Sequence, residues 1–130
     1  MSILVKAREE GRLWVAVDDE GAPVGYILME IIDKVCGLLA QLDVLPEHGR
    51  RGVGKALVER TVMQAKDLGL SRLYLTTFSN VPWNALFYEK LGFSLIQESE
   101  QPSFMKKALE EERGRGLENR VAMRLEILPD

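Results

Sequence analysis

The stretch HGRRGVGKAL, His48 to Leu57, sets three glycines and the cations Arg50, Arg51 and Lys55 within ten positions, then enters an apolar, helix-favouring segment. A strand that ends, glycines that let backbone approach a ligand, and a helix start with unpaired N–H groups together make an anion site. The amides of about Arg51 to Ala56 then face outward. The helix dipole adds favourable potential there, and the three side chains add full charges. A diphosphate is the right size for such a turn. A tight turn carrying exposed basic side chains is the alternative, and the stretch alone leaves it open.

Two better-known phosphate loops fit less well. GRRGVGKA, residues 49 to 56, follows G-x-x-x-x-G-K, but Ala56 stands where Ser or Thr would hold magnesium. No apolar strand ending in a second magnesium-binding Asp follows, so nucleotide hydrolysis is not expected. Gly52 and Gly54 begin G-x-G-x-x-G, but Leu57 fills the last glycine position.

The elements that must position this turn follow from the apolar pattern. Arg12 to Val17 and Pro23 to Ile32 are β-prone runs parted by DDEG, which reads as a hairpin. Val35 to Leu45, nearly all apolar and stopped by Pro46, reads as a central strand. Val53, Leu57, Thr61, Ala65 and Leu68 recur at helical spacing, with Gly69 as the C-terminal cap. Arg72 to Phe78 is a further strand, Asn84 to Leu91 a short helix ended by Gly92, and Phe93 to Gln97 another strand. Strand, helix, strand implies parallel pairing. Ser103 to Leu117, dense in Lys, Glu and Arg, reads as a solvated helix or loop, and Arg120 to Leu128 closes as a last strand.

Composition sets the bounds. The 130 residues, 46% of them hydrophobic, suit one globular domain spanning residues 1–130. A net charge of −3 argues against a general grip on nucleic acid and leaves the basic turn as a local feature suited to a small anion. No run is long enough for a membrane span, and Met1 to Arg12 lacks the layout of a secretion signal, so a cytoplasmic location is the default expectation. The lone Cys36 reads as a buried strand thiol, and no metal site is expected.

LDVLPEHGRRGVGKAL together with VPWNALFYEKLGF resembles the GCN5-related N-acetyltransferase (GNAT) family. That family's signature loop reads Gln/Arg-x-x-Gly-x-Gly/Ala after a V-x-P strand end. Val44 and Pro46 match the strand end, Gly52 and Gly54 match the two glycines, and FYEKLGF matches the second signature block. The resemblance covers about residues 12 to 97. It implies an α/β (α+β) fold, a mixed and largely antiparallel central sheet flanked by helices.

By the same resemblance, the loop amides hold the pyrophosphate of acetyl-coenzyme A and the preceding strand pairs with its pantetheine arm. The implied cofactor contacts are Leu42 and Val44 on the strand, then Gly49, Arg50, Arg51, Gly52, Val53, Gly54, Lys55 and Ala56 in the turn. Asn84 and Tyr88 join them from the short helix. Asn84 competes between capping that helix and binding the pantetheine arm, and Asn80 is its rival. Tyr88 corresponds to the tyrosine that protonates the departing thiolate, and a phenol is still protonated at neutral pH. Packing beside Phe87 and Phe93 is its structural alternative, and Trp83 is expected to pack. For the base, Asp43 shares a strand face with Gln41 and could hold a water; Glu30 is the other carboxylate considered, and His48 reads as a solvated turn residue.

Departures from the pattern carry their own expectations. Gly49 replaces the usual Gln or Arg, which weakens one cofactor contact but keeps the amide cradle. The resemblance implies a strand and two helices ahead of Arg12, where only Met1 to Gly11 stands, and AREEG, residues 7 to 11, looks like the tail of the second helix. A shortened member, an open acceptor site, or an edge covered by a second copy in a homodimer is then expected. The implied function is acetyl transfer from acetyl-coenzyme A to a primary amine of a small molecule or peptide, by direct attack. Two other classes remain: a non-catalytic acyl-coenzyme A binding or regulatory module, and an interaction domain gripping a phosphorylated partner.

Overall fold

The computed structural model describes residues 4–8, 12–48 and 52–128. It divides into two compact units, Met1–Leu73 with Ile127–Asp130, and Tyr74–Glu126. Among the described residues, seven strands, mostly antiparallel, and three α-helices give the α/β (α+β) class that the sequence implies.

In the first unit, β1 (Leu4–Arg8), β2 (Leu13–Val17), β3 (Pro23–Ile31) and β4 (Cys36–Val44) form an antiparallel meander followed by α1 (Val53–Asp67). Carboxylates lock both tight turns. Asp18 accepts the amides of Glu20 and Ala22 at 2.9 Å, and Asp33 accepts those of Val35 and Cys36 at 2.8 Å. One expectation is corrected at the start. Ala7 and Arg8 do not end a helix but lie in β1, opposite Trp14 and Leu13, while Glu9, Glu10 and Gly11 lie outside the described residues. The reason is that five consecutive pairs with β2 satisfy a backbone segment too short to nucleate a helix.

The pairs Trp14↔Ile27, Ala16↔Gly25, Ile27↔Leu42 and Gly25↔Val44 put these residues on one sheet face. On α1 the buried stripe is Val53, Leu57, Val58, Thr61 and Ala65, as the helical spacing predicts. The approach is close at Gly25. A Cβ there would lie 2.9 Å from the Asp43 carbonyl oxygen and 3.3 Å from Cγ2 of Val44 and Cγ1 of Val53. The first residue of α1 therefore rests almost directly on strand backbone. Cys36 is buried, as expected.

The second unit contains most of β5 (Arg72–Phe78), then α2 (Pro82–Lys90), β6 (Ser94–Ile96), α3 (Ser103–Gly114) and β7 (Arg120–Glu126), with strand order β5-β7-β6. β5 and β6, joined through α2, are not the paired neighbours expected of strand, helix, strand. β7 lies between β5 and β6 and pairs antiparallel with β6, because its Ala122 and Met123 bury completely in that central place. The segment after β6 is also less solvated than its charge suggests. Met105, Leu109 and Glu112 form a buried stripe on α3 at spacings of four and three.

Two details of α2 differ from expectation. The helix begins at Pro82 with Val81 as its N-cap and no side-chain cap, so Asn84 does not cap it. Proline is pre-set for the first helical position, which moves the start two residues back. Trp83 is 70% exposed rather than packed, because the first turn of α2 presents it outward.

Gly25→Ala should lower thermal stability by about 1–3 kcal/mol, since strand backbone or α1 must retreat from the new methyl group. Denaturant melts of the two proteins check this, and equal midpoints would remove the close approach from the account.

Candidate active site

After β4 comes a 3-10 turn, Pro46–His48, and Gly52 is the N-cap of α1. Gly52 has φ +81°, a conformation that L side chains rarely adopt, which explains a glycine at this place. Neither a capping side chain nor an acidic residue occupies the first turn. The amides of Val53, Gly54 and Lys55 begin the helix where no intrahelical acceptor is due, at the positive end of a 15-residue dipole. Lys55 is exposed beside them. Ala56 is a correction to the cradle: its amide donates to the Gly52 carbonyl at 3.0 Å, because it is the first to close an α-helical turn. Gly49, Arg50 and Arg51, also expected in the cradle, lie outside the described residues.

On β4, Leu42 and Val44 are half-buried on the α1 side, whereas Gln41 and Asp43 are exposed on the other. Asp43 lies opposite Tyr26, whose hydroxyl donates to it, and this bond raises the Tyr26 pKa above its ordinary value. The ladder also carries a bulge. Leu28 faces Gln41 while Met29 faces Leu39, so Ala40 has no opposite residue and its backbone departs from regular pairing. Glu30 is exposed at the far end of β3, opposite Leu38, away from this stretch of β4.

In the second unit, Tyr88 sits in the last turn of α2, and the glycine of FYEKLGF explains how it is held. Gly92 has φ +101° and turns the chain so that the Phe93 amide donates to the Tyr88 carbonyl at 3.1 Å and the Gly92 amide to the Glu89 carbonyl at 3.0 Å. Phe93 then lands against the Tyr88 ring, 5.8 Å between centroids, with Phe87 on another side at 5.0 Å. Burial raises the Tyr88 pKa, and the Arg120 charge partly offsets that rise. Asn84 is half-buried in the first turn, and its amide donates to the Val81 carbonyl at 3.0 Å. Asn80 is exposed in the preceding turn.

Arg120 is a residue that sequence reasoning passed over. Its Nη2 donates to Oε2 of Glu112 at 3.2 Å and to Oγ1 of Thr76 at 2.8 Å, and its guanidinium lies 4.4 Å over the Phe78 ring. Glu112 is buried, and Thr76 also donates to its Oε2, at 2.9 Å. The helical spacing of Met105, Leu109 and Glu112 is the signal that could have found it. No such signal exists for Tyr26 as the partner of Asp43, which depends on register across a hairpin.

A glycine turn opens an uncapped helix after a bulged strand in the first unit, a half-buried tyrosine ends a short helix in the second, and the fold is of the α/β (α+β) class. The profile of the Acetyltransferase (GNAT) family matches residues 2–93, and the chain belongs to that family. Peptidyl-lysine N-acetyltransferase YjaB of Salmonella typhimurium is 34% identical over 94 residues, 70% of this chain and 56% of that protein. The chain thus spans little more than half the length of that relative. Among solved structures, N-acetylglutamate synthase from Neisseria gonorrhoeae, complexed with coenzyme A and N-acetyl-glutamate, shares 22% identity with a TM-score of 0.73, covering 97% of this chain and 29% of that one. Rv2747 from Mycobacterium tuberculosis, in complex with CoA and NLQ, shares 21% identity with a TM-score of 0.73, covering 91% and 77%. These likenesses establish the fold.

The buried phenol has a consequence at high pH. Folding holds the Tyr88 proton more tightly than the unfolded chain, whose tyrosines titrate near 10.0. The stability tied to this proton is complete below that pH and is lost as pH rises through the higher folded value. Stability measured from about pH 9 to about pH 11 should therefore fall, and fall less steeply in Tyr88→Phe. Identical slopes in the two proteins would contradict the burial of this hydroxyl.

Proposed function

We propose that residues 1–130 act as one acetyltransferase domain in the cytoplasm, moving the acetyl group of acetyl-coenzyme A to a primary amine of a small molecule or peptide. The observation that carries this reading is the start of α1: a left-handed glycine, uncapped amides and no acid in the first turn. Family membership and the coenzyme A held by two proteins of the same fold support it.

The amides of Gly52, Val53, Gly54 and Lys55 donate to the pyrophosphate, and Gly49, Arg50, Arg51 and Lys55 complete the turn with backbone and charge. Leu42 and Val44 offer strand backbone to the pantetheine arm, with Asn84 as a further contact. The irregular backbone at Ala40 frees strand amides to polarise the thioester carbonyl. Asp43, already oriented by Tyr26, holds the water that takes the amine proton as the nitrogen attacks. Tyr88 gives its proton to the sulfur as the carbon–sulfur bond breaks. No acyl group is attached to the chain, so proximity supplies much of the rate.

The relatives favour different amines, a peptidyl lysine in one and an amino acid in another, and both lie within the class proposed. A homodimer is the proposed assembly. The open edge of β1, where Leu4 is 57% exposed, is the surface a second copy would cover.

Calorimetry with coenzyme A should show saturable binding that Gly54→Trp abolishes. Tyr88→Phe should lower kcat by about a hundredfold while leaving coenzyme A affinity unchanged, and Asp43→Asn should lower kcat at neutral pH by about tenfold or more. Binding without turnover for any amine would sink the transferase reading and leave a non-catalytic acyl-coenzyme A module. Absence of binding at millimolar coenzyme A would falsify the cradle itself.

A further inference from the structure

In the first unit α1 packs on the sheet face that carries Gly25 and Ile27. Strand alternation sends the residues between them to the opposite face, and register arranges that face in rows. Lys6, Val15, Tyr26 and Asp43 lie directly opposite one another across β1 to β4, and Arg8, Leu13, Leu28 and Gln41 form the next row. The outer members are exposed, and the four inner ones are half-buried. Leu4, two residues before Lys6, and Leu45, two residues after Asp43, stand at a third height on the two rims and are 57% and 44% exposed.

Charge is segregated across this face. Two cations stand on β1, an apolar band crosses β2 and β3, and an anion and an amide stand on β4. Glu30, beyond the Leu28 row, is the remaining charge on this face of the four strands among the described residues, so two cations are balanced by two anions. Lys6 and Arg8 have no carboxylate partner among the described residues, and Asp43 accepts only the Tyr26 phenol.

This pattern is its own complement. A two-fold axis parallel to the strands, midway between β2 and β3, sets β1 of one copy over β4 of the other and preserves height. Lys6 then meets Asp43 of the second copy, Arg8 meets Gln41, Val15 meets Tyr26, Leu13 meets Leu28, and Leu4 meets Leu45. An axis across the strands would set β1 over β1 and face cations with cations. Sheets stacked face to face lie about 10 Å apart with nearly aligned strands, a gap that a lysine and an aspartate bridge together.

We propose that a second copy of this chain docks on the open sheet face about the strand-parallel two-fold, pairing Lys6 with Asp43 twice across the interface. This rests on the homodimer reading above and names its surface, with the rim residue Leu4 included. A patch four strands wide and five paired residues long is small for a permanent dimer, so the copies dissociate at concentrations on the order of micromolar. Docking covers Asp43, and the amine of the proposed reaction reaches that carboxylate only on a dissociated chain.

Sedimentation equilibrium of the full chain, from micromolar to millimolar, should show a reversible monomer–dimer transition. Lys6→Asp and Asp43→Lys should each weaken association by about tenfold or more, and the double variant should restore it to within about threefold of the wild type. Copies joined only along the β1 edge would leave Asp43→Lys associating as the wild type does. That result, a monomer at millimolar chain, or a double variant that stays monomeric would each overturn the assignment. Specific activity should rise on dilution of the wild type and stay constant in Lys6→Asp, and a constant wild-type value across the dimer transition would overturn the covering of Asp43. Association is read without turnover, so an inactive chain that dimerises as described would count against the transferase reading alone.

Discussion

The first unit depends on one contact, the seating of Val53 on Gly25. Because Gly25 has no side chain, the first turn of α1 comes within van der Waals reach of the β3 and β4 backbone at the place where β4 ends. That contact fixes where the positive end of the helix dipole lies and which amides begin the helix. Gly52 then turns the chain without adding a side chain to the approach. A Cβ at Gly25 would press on strand backbone, whereas one at Gly52 would meet open space but strain the left-handed conformation, so the two glycines do different work at one helix start.

A comparable economy governs the second unit. The turn that ends α2 also brings Phe93 onto Tyr88, so the bonds that finish the helix hold the half-buried phenol against an aromatic ring. Its partial burial favours the neutral form, and the Arg120 charge moderates the effect. Arg120 is itself expensive to bury and is stabilised by Glu112, Thr76 and Phe78 together. One carboxylate oxygen of Glu112 and the Nε of Arg120 still lack partners among the described residues, so this network is not fully satisfied.

On β4 the bulge at Ala40 and the bond from Tyr26 to Asp43 are both products of strand pairing. The bulge interrupts regular backbone pairing over one residue, and the cross-strand phenol orients a carboxylate that stays on the exposed face. Both features belong to backbone register, which allows the side chains around them to be ordinary.

Much of this was legible in the sequence for a simple reason: apolar spacing, turn glycines and proline act over a few neighbouring residues. The strands Arg12 to Val17, Pro23 to Ile32 and Arg72 to Phe78, the helix from Val53, and the glycines ending both helices are set by such local preferences. So is the glycine turn, whose pattern carried the family. Tertiary structure decided the rest. Ala7 and Arg8 became strand because β2 offered an edge, and β7 entered between β5 and β6 because its apolar residues could bury there. Glu112 went inside because Arg120, eight positions away across a turn, was there to receive it. Asp43 gained its phenol and Ala40 its bulge from a register that spans a hairpin. Such pairings join residues that are distant or only indirectly linked along the chain, and their energy exists only once the backbone has brought them together.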